Sequence, residues 1–136
     1  MKVKVRRLHP RAVVPSFATG GAAAFDLVAV KREGQVFDTG LAFEIPPGYA
    51  MFIYSRSGMG FKDNTRLSNC VGVIDSDYRG EVKVKLARDD GKPIDAQVGD
   101  RIAQAVIMRL PKVEFEEVRE LSDTERGAGG FGSTGK

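Results

Sequence analysis

Apolar residues recur along this chain at every second position or in short unbroken runs, a pattern of strands and not of amphipathic helices. Met1-Lys2-Val3-Lys4-Val5 alternates charged with apolar side chains, and Glu81-Val82-Lys83-Val84 does the same. The pattern predicts strands over residues 2–8, 26–30, 41–45, 49–55, 70–75, 81–87, 101–109 and 113–118. Between them stand Asp38-Thr39-Gly40, Pro46-Pro47-Gly48, Asp89-Asp90-Gly91 and Gly99-Asp100, whose aspartates bond nearby amides and whose prolines and glycines preset or permit tight turns. No segment sustains a helical period long enough to predict a helix. So many short strands predict an all-β sandwich, jelly roll or barrel.

The strand pattern fades toward the C-terminus. An acidic stretch from Glu114 to Glu125 leads into Gly127-Ala128-Gly129-Gly130-Phe131-Gly132-Ser133-Thr134-Gly135-Lys136, which has too few apolar side chains to pack on itself. Residues 1–118 are therefore expected to form one β body, and residues 119–136 a linker and flexible arm. There is no internal repeat, and 136 residues leave little room for a second domain.

Composition narrows the chemistry. The chain carries 21 lysines and arginines against 18 acidic residues, a net +3, too small a surplus for a dedicated duplex-DNA binder. Its longest apolar run, Tyr49 to Tyr54, has six residues, which excludes a membrane-spanning helix. The alternating N-terminus lacks the continuous apolar stretch of a signal peptide, so a cytoplasmic protein is expected. One cysteine, Cys70, and one histidine, His9, exclude intrachain disulfides and paired-histidine or four-cysteine metal sites. Any metal must be held by oxygen. His9, between Leu8 and Pro10, reads as a strand-end surface residue before it reads as a general base.

Four segments look unusual for a purely structural β domain. Arg56-Ser57-Gly58 follows the apolar strand Tyr49 to Tyr54; a guanidinium, a hydroxyl and accessible backbone amides suit a phosphate, although Ser-Gly after a strand is often only a turn. Val71 to Val84 reads as a hairpin whose connection carries Asp75, Asp77, Tyr78 and Gly80. Asp75, following Val73 and Ile74, is expected to be partly desolvated, hence raised in pKa and able to act as a base; the alternative is a carboxylate that bonds turn amides. In Arg101 to Met108, Gln104 shares a period-two face with Ile102, Val106 and Met108, so its amide needs either a backbone partner or a ligand oxygen. In the arm, Gly130 to Lys136 spells a Walker-like pattern without a following helix, and Gly127 to Gly132 a kinase-like glycine loop without the rest of a kinase. Both matches fail. The arm's Arg126, Ser133, Thr134 and Lys136 could still wrap a polyphosphate, and Phe131 could stack on a base.

These segments, with Ala23-Ala24-Phe25-Asp26-Leu27 ahead of them, resemble in order and spacing the five motifs of the trimeric deoxyuridine triphosphatase (dUTPase) family. The most specific pieces are Gly72 to Gly80 and Arg126 to Gly135. The resemblance implies a jelly-roll-like β barrel, a homotrimer without nucleic-acid or membrane partners, and Mg2+-dependent hydrolysis of dUTP to dUMP and pyrophosphate. It implies that Asp75 activates the attacking water and contacts the sugar 3′-hydroxyl, and that Tyr78 packs under the deoxyribose. Backbone around Val73, Ile74 and Lys83, with Asn69, would read uracil. Arg56, Ser57, Gly58 and Gln104 would hold phosphate, and Asp26 would hold Mg2+ through water. Arg126 and the stretch Ser133, Thr134 and Gly135 would grip the γ end, Gly132 would bind substrate beside them and Phe131 would cover the base, the arm crossing to a neighbouring subunit's site. Two departures stand out: Ala24 and Phe25 replace a frequent glycine and tyrosine, and Asp63 to Ser68 is more polar than usual, so weaker strand pairing is expected before Asn69. A dCTP deaminase on the same fold and a non-catalytic nucleotide sensor are the rival readings.

Overall fold

The computed structural model describes residues 1–135. The elements are β1 (Lys4–Arg7), β2 (Phe25–Val28), β3 (Lys31–Glu33), β4 (Val36–Asp38), β5 (Leu41–Glu44), β6 (Tyr49–Tyr54), α1 (Ser57–Asp63), β7 (Thr65–Leu67), β8 (Val71–Ile74), β9 (Lys83–Arg88) and β10 (Arg101–Arg109). They form antiparallel sheets in the orders β1-β5, β2-β10-β6-β8 and β3-β4-β9-β7. The chain is all-β, as its pattern predicts, and jelly-roll-like, as the family resemblance implies. Among the described residues no helix is long and apolar enough to cross a membrane.

The sheets enclose one core in which Leu27, Phe37, Leu41, Met51, Leu86 and Ile102 are almost fully buried. Alternation puts these side chains inward and leaves Lys83, Lys85 and Glu44 in solvent. The β10 ladder carries a register shift between Arg101 and Ala103, so the neighbours Ile102 and Ala103 are both buried and the parity of the strand changes there. Gln104 therefore sits opposite the inward face of Ala103 and Ala105, and does not share the face of Ile102 as the uninterrupted period predicts. At the β4–β5 turn, Gly40 has φ +67° and no room for a side chain, since a Cβ would lie 2.8 Å from that of His9. His9 is half-buried in the turn after β1, where Nδ1 accepts the Arg11 N–H at 3.1 Å.

Several elements depart from the predicted pattern. Helix α1 spans seven residues and buries none of them fully, so it leaves no apolar period to detect. The β3–β4 hairpin turns at Gly34 with φ +59°; Lys31-Arg32-Glu33 is too polar to read as a strand, yet Arg32 lays its guanidinium 5.2 Å from the Phe37 ring centroid. β7 forms despite its polarity, burying Thr65 and Leu67 and pairing with β9 while Arg66 reaches Asp89. The predicted strand at 113–118 is absent. Leu110 still donates its N–H to Gly48 O, but residues 111–118 are exposed and have no partner strand within the single chain.

The loop after β9 is pinned by Arg88, whose side chain is 9% exposed and reaches Asp90 at 2.8 Å and Asp95 at 2.9 Å. The Arg88 hydrogen bond holds the Asp90 carboxyl down at about 2, from an ordinary 3.8. A carboxyl lowered in the folded state adds stability above its unfolded pKa and loses it as pH falls through the folded value. Thermal melts of the native protein and Asp90→Asn should differ by a constant gap from pH 7 to about 4, and the gap should close between about 4 and 2.

Candidate active site

Two clefts gather the polar residues of interest. The first, about 360 Å³, lies beside the end of β6 and the start of β10 and is lined by Asp26, Arg56, Ser57, Arg101 and Gln104, with alanines at 18 and 22–24. Asp26 projects from β2, where its neighbours Phe25 and Leu27 point into the core. Its Oδ1 accepts Arg56 Nε at 2.8 Å and its Oδ2 accepts Arg101 Nη1 at 3.2 Å. Arg56 also reaches Arg101 O. One carboxylate thus aligns two guanidiniums, leaving a net positive charge in the cleft. Gln104 is half-buried and donates Nε2–H to Ser55 O at 2.9 Å, so the backbone partner expected for its amide is present. Gly58 follows Ser57 on the exposed first turn of α1.

The second cleft, about 340 Å³, opens between β8 and β9 and is lined by Asn69, Gly72, Val73, Ile74, Lys83 and Val84, among others. Here the predicted hairpin is corrected. β8 pairs with β6, while β9 pairs with β4 and, beyond residue 85, with β7. The two arms belong to different sheets and splay apart. Each consequently turns a stretch of unladdered backbone toward the gap, where unmet N–H and C=O groups seek partners. On its laddered side β8 lies close to β6: a Cβ at Gly72 would meet Ile53 Cβ at 3.2 Å. Lys83 is drawn aside to Asp38 at 3.1 Å and Glu81 at 3.5 Å, and the hydrogen bond to Asp38, ahead of the charge itself, raises its pKa.

Asp75 and Tyr78 occupy the connection from β8 to β9 and line neither cleft. Asp75 follows Ile74, which lines the second cleft, but is exposed; the partial desolvation expected of it is absent from the single chain. Tyr78 is also exposed and donates Oη–H to Glu81 O at 3.0 Å. Among the described residues, none of the arm lines either cleft. Hydrogen bonds of Arg126 and Ser133 end within it, on Gly129 O and Gly130 O, and Phe131, Gly132, Ser133 and Thr134 are exposed. Lys136, grouped with them as a phosphate ligand, lies outside the described residues.

Two residues in or beside these clefts escape the sequence reading. Arg101 is separated from Asp26 by 75 positions and shows itself only once β2 and β10 pair; its place three residues before Gln104 was the available signal. Glu81 looks like an ordinary solvent-facing strand residue, yet its Oε1 accepts the Gly40 N–H at 2.9 Å.

A slot edged with free backbone suits a flat hydrogen-bonding ring, and a cleft holding two guanidiniums suits an anion; together they define a β-fold protein of the nucleotide-acting class. The chain belongs to the dUTPase family, which matches residues 11–135. It is 48% identical to the deoxyuridine 5′-triphosphate nucleotidohydrolase of Nautilia profundicola over the full length of both chains. It is 45% identical to that of Wolinella succinogenes, covering all of this chain and 95% of the relative. A Staphylococcus bacteriophage 80α dUTPase, solved with dUPNHPP, superposes with a TM-score of 0.86 at 27% identity, covering 99% of each chain.

Proposed function

We propose that the chain is a dUTP diphosphatase: it hydrolyses dUTP to dUMP and pyrophosphate, keeping uracil out of DNA and supplying dUMP. The observation carrying this reading is the splayed β8–β9 slot, whose lining on the β8 side runs to Ile74, the residue before Asp75. Backbone of Val73, Ile74 and Lys83, with Asn69, takes the uracil edge as a paired strand would, and a thymine methyl or a cytosine amine meets the wrong groups. Tyr78 underlies the deoxyribose. Asp75 contacts the 3′-hydroxyl and accepts a proton from the water that attacks the α-phosphorus. Arg56, Ser57, Gly58 and Gln104 bind phosphate, and the arm closes with Phe131 on the base and Arg126, Gly132, Ser133 and Thr134 on the γ end.

The two clefts share no lining residue, and the arm's hydrogen bonds stay within it. Both facts favour a homotrimer in which each site combines the slot, the phosphate cleft and the arm of different copies. We divide the chain accordingly into a body of residues 1–118 and an arm of residues 119–136.

Among the described residues no three His, Cys, Asp or Glu side chains form a metal site, and both Asp26 oxygens are engaged by arginines. This donor set fits Mg2+ carried mainly by the substrate's phosphates, with Asp26 reaching it through water. When bound, the ion would neutralise phosphate charge. A cytoplasmic location, without nucleic-acid or membrane partners, goes with a free nucleotide as substrate.

The test is a panel of dUTP, UTP, dCTP and dTTP with Mg2+, following pyrophosphate and ammonia separately. Pyrophosphate should come from dUTP alone, and chelation by EDTA should lower its release about a hundredfold or more. Ammonia from dCTP would establish a deaminase instead, and inertness toward dUTP a nucleotide sensor.

A further inference from the structure

Tyr78 is 44% exposed, and a side chain so exposed ordinarily swings between rotamers within nanoseconds. Two contacts oppose this. The ring lies across Gly80, where a Cβ would collide with Oη and stand 2.5 Å from Cζ and 2.9 Å from Cε2. Its Oη–H is donated to Glu81 O at 3.0 Å. That acceptor is itself anchored, because the Glu81 carboxylate takes the Gly40 N–H at 2.9 Å. The next residue, Val82, is buried; it donates to Leu41 O and accepts from Thr39 Oγ1 at 2.7 Å. The ring therefore rests on a glycine shelf and is tethered to a peptide fixed in the core.

We propose that Gly80 and Glu81 are positioning residues that set the enzyme's selectivity for deoxyribose, by making the Tyr78 ring a stiff wall. This rests on the reading of the site as one for dUTP. A wall excludes an added hydroxyl only if its displacement is costly; a freely turning exposed ring would yield to a ribose and exclude little. Here the ring can make room only by pressing on the Gly80 backbone or by breaking its bond to Glu81 O. Any side chain at position 80 displaces the ring from the shelf, so glycine is required here for close approach and not for an unusual backbone angle.

The full-length protein, Gly80→Ala and Tyr78→Phe should be compared by kcat/KM on dUTP and on UTP. In Gly80→Ala the dUTP-to-UTP preference should fall about ten- to a hundredfold, with kcat on dUTP changing less than that ratio. In Tyr78→Phe, which keeps the ring and removes only the tether, the preference should fall about two- to tenfold. Should Gly80→Ala fail to fold, the Tyr78→Phe ratio decides alone. An unchanged preference in the folded variants, or an equal loss on both substrates, overturns the inference while leaving the site reading intact; a native protein inert toward dUTP overturns the site reading itself.

Discussion

Asp75→Asn should lower dUTP turnover by about 10²- to 10⁴-fold while a non-hydrolysable dUTP analogue still binds. Asparagine keeps the size of the side chain and its capacity to bond the sugar hydroxyl, but it cannot accept a proton from water. The position of Asp75 makes the separation clean. Its backbone carbonyl accepts the Tyr78 N–H at 3.2 Å, whereas no hydrogen bond of its exposed carboxylate holds the fold together among the described residues. Folding should therefore be unaffected, and melting curves should coincide. Calorimetric titration alongside pyrophosphate release checks both halves; loss of binding in step with loss of turnover would make Asp75 a substrate anchor instead of a base.

Deleting residues 126–136 should leave the β body and its melting temperature unchanged while cutting kcat/KM by about a hundredfold or more. The residues removed contribute no core side chain and no hydrogen bond to the sheets among those described. Phe131 shows how little holds the arm within the single chain: it is fully exposed, has φ +53° and is flanked by glycines. Ordering such residues costs roughly 1–2 kcal/mol each, so the proposed closure would require several charge-assisted contacts with a triphosphate. Native-like turnover by the truncated chain, measured as pyrophosphate release, would remove the arm from the catalytic cycle.

Where apolar residues cluster against a buried face, the sequence was readable: β5, β6 and β10 lie within the predicted strands and put Leu41, Met51 and Ala105 in one core, although the shift in β10 breaks the period of two there. Of the candidate site residues the motifs mark, Asn69, Val73, Ile74 and Lys83 lie on one cleft and Asp26, Arg56, Ser57 and Gln104 on another. What could not be read depends on pairing across long separations. Alternation in Val71 to Val84 looks the same whether the two arms bond each other or splay into separate sheets, and only the partners β6 and β4 decide. The Arg101–Asp26 contact exists only through the β2–β10 ladder. Residues 113–118 alternate like a strand but find no edge to join in their own chain. Asp75, apolar on one side in sequence, still projects into solvent, because a strand's end is not desolvated by the residues before it alone.

Hydrolysis in water enriched in oxygen-18 tests the assignment of the reacting phosphorus most directly. With Asp75 directing water to the α-phosphorus, one labelled oxygen should appear in dUMP and none in pyrophosphate. Label found in the pyrophosphate would mean attack at the β-phosphorus and would contradict the placement of the base.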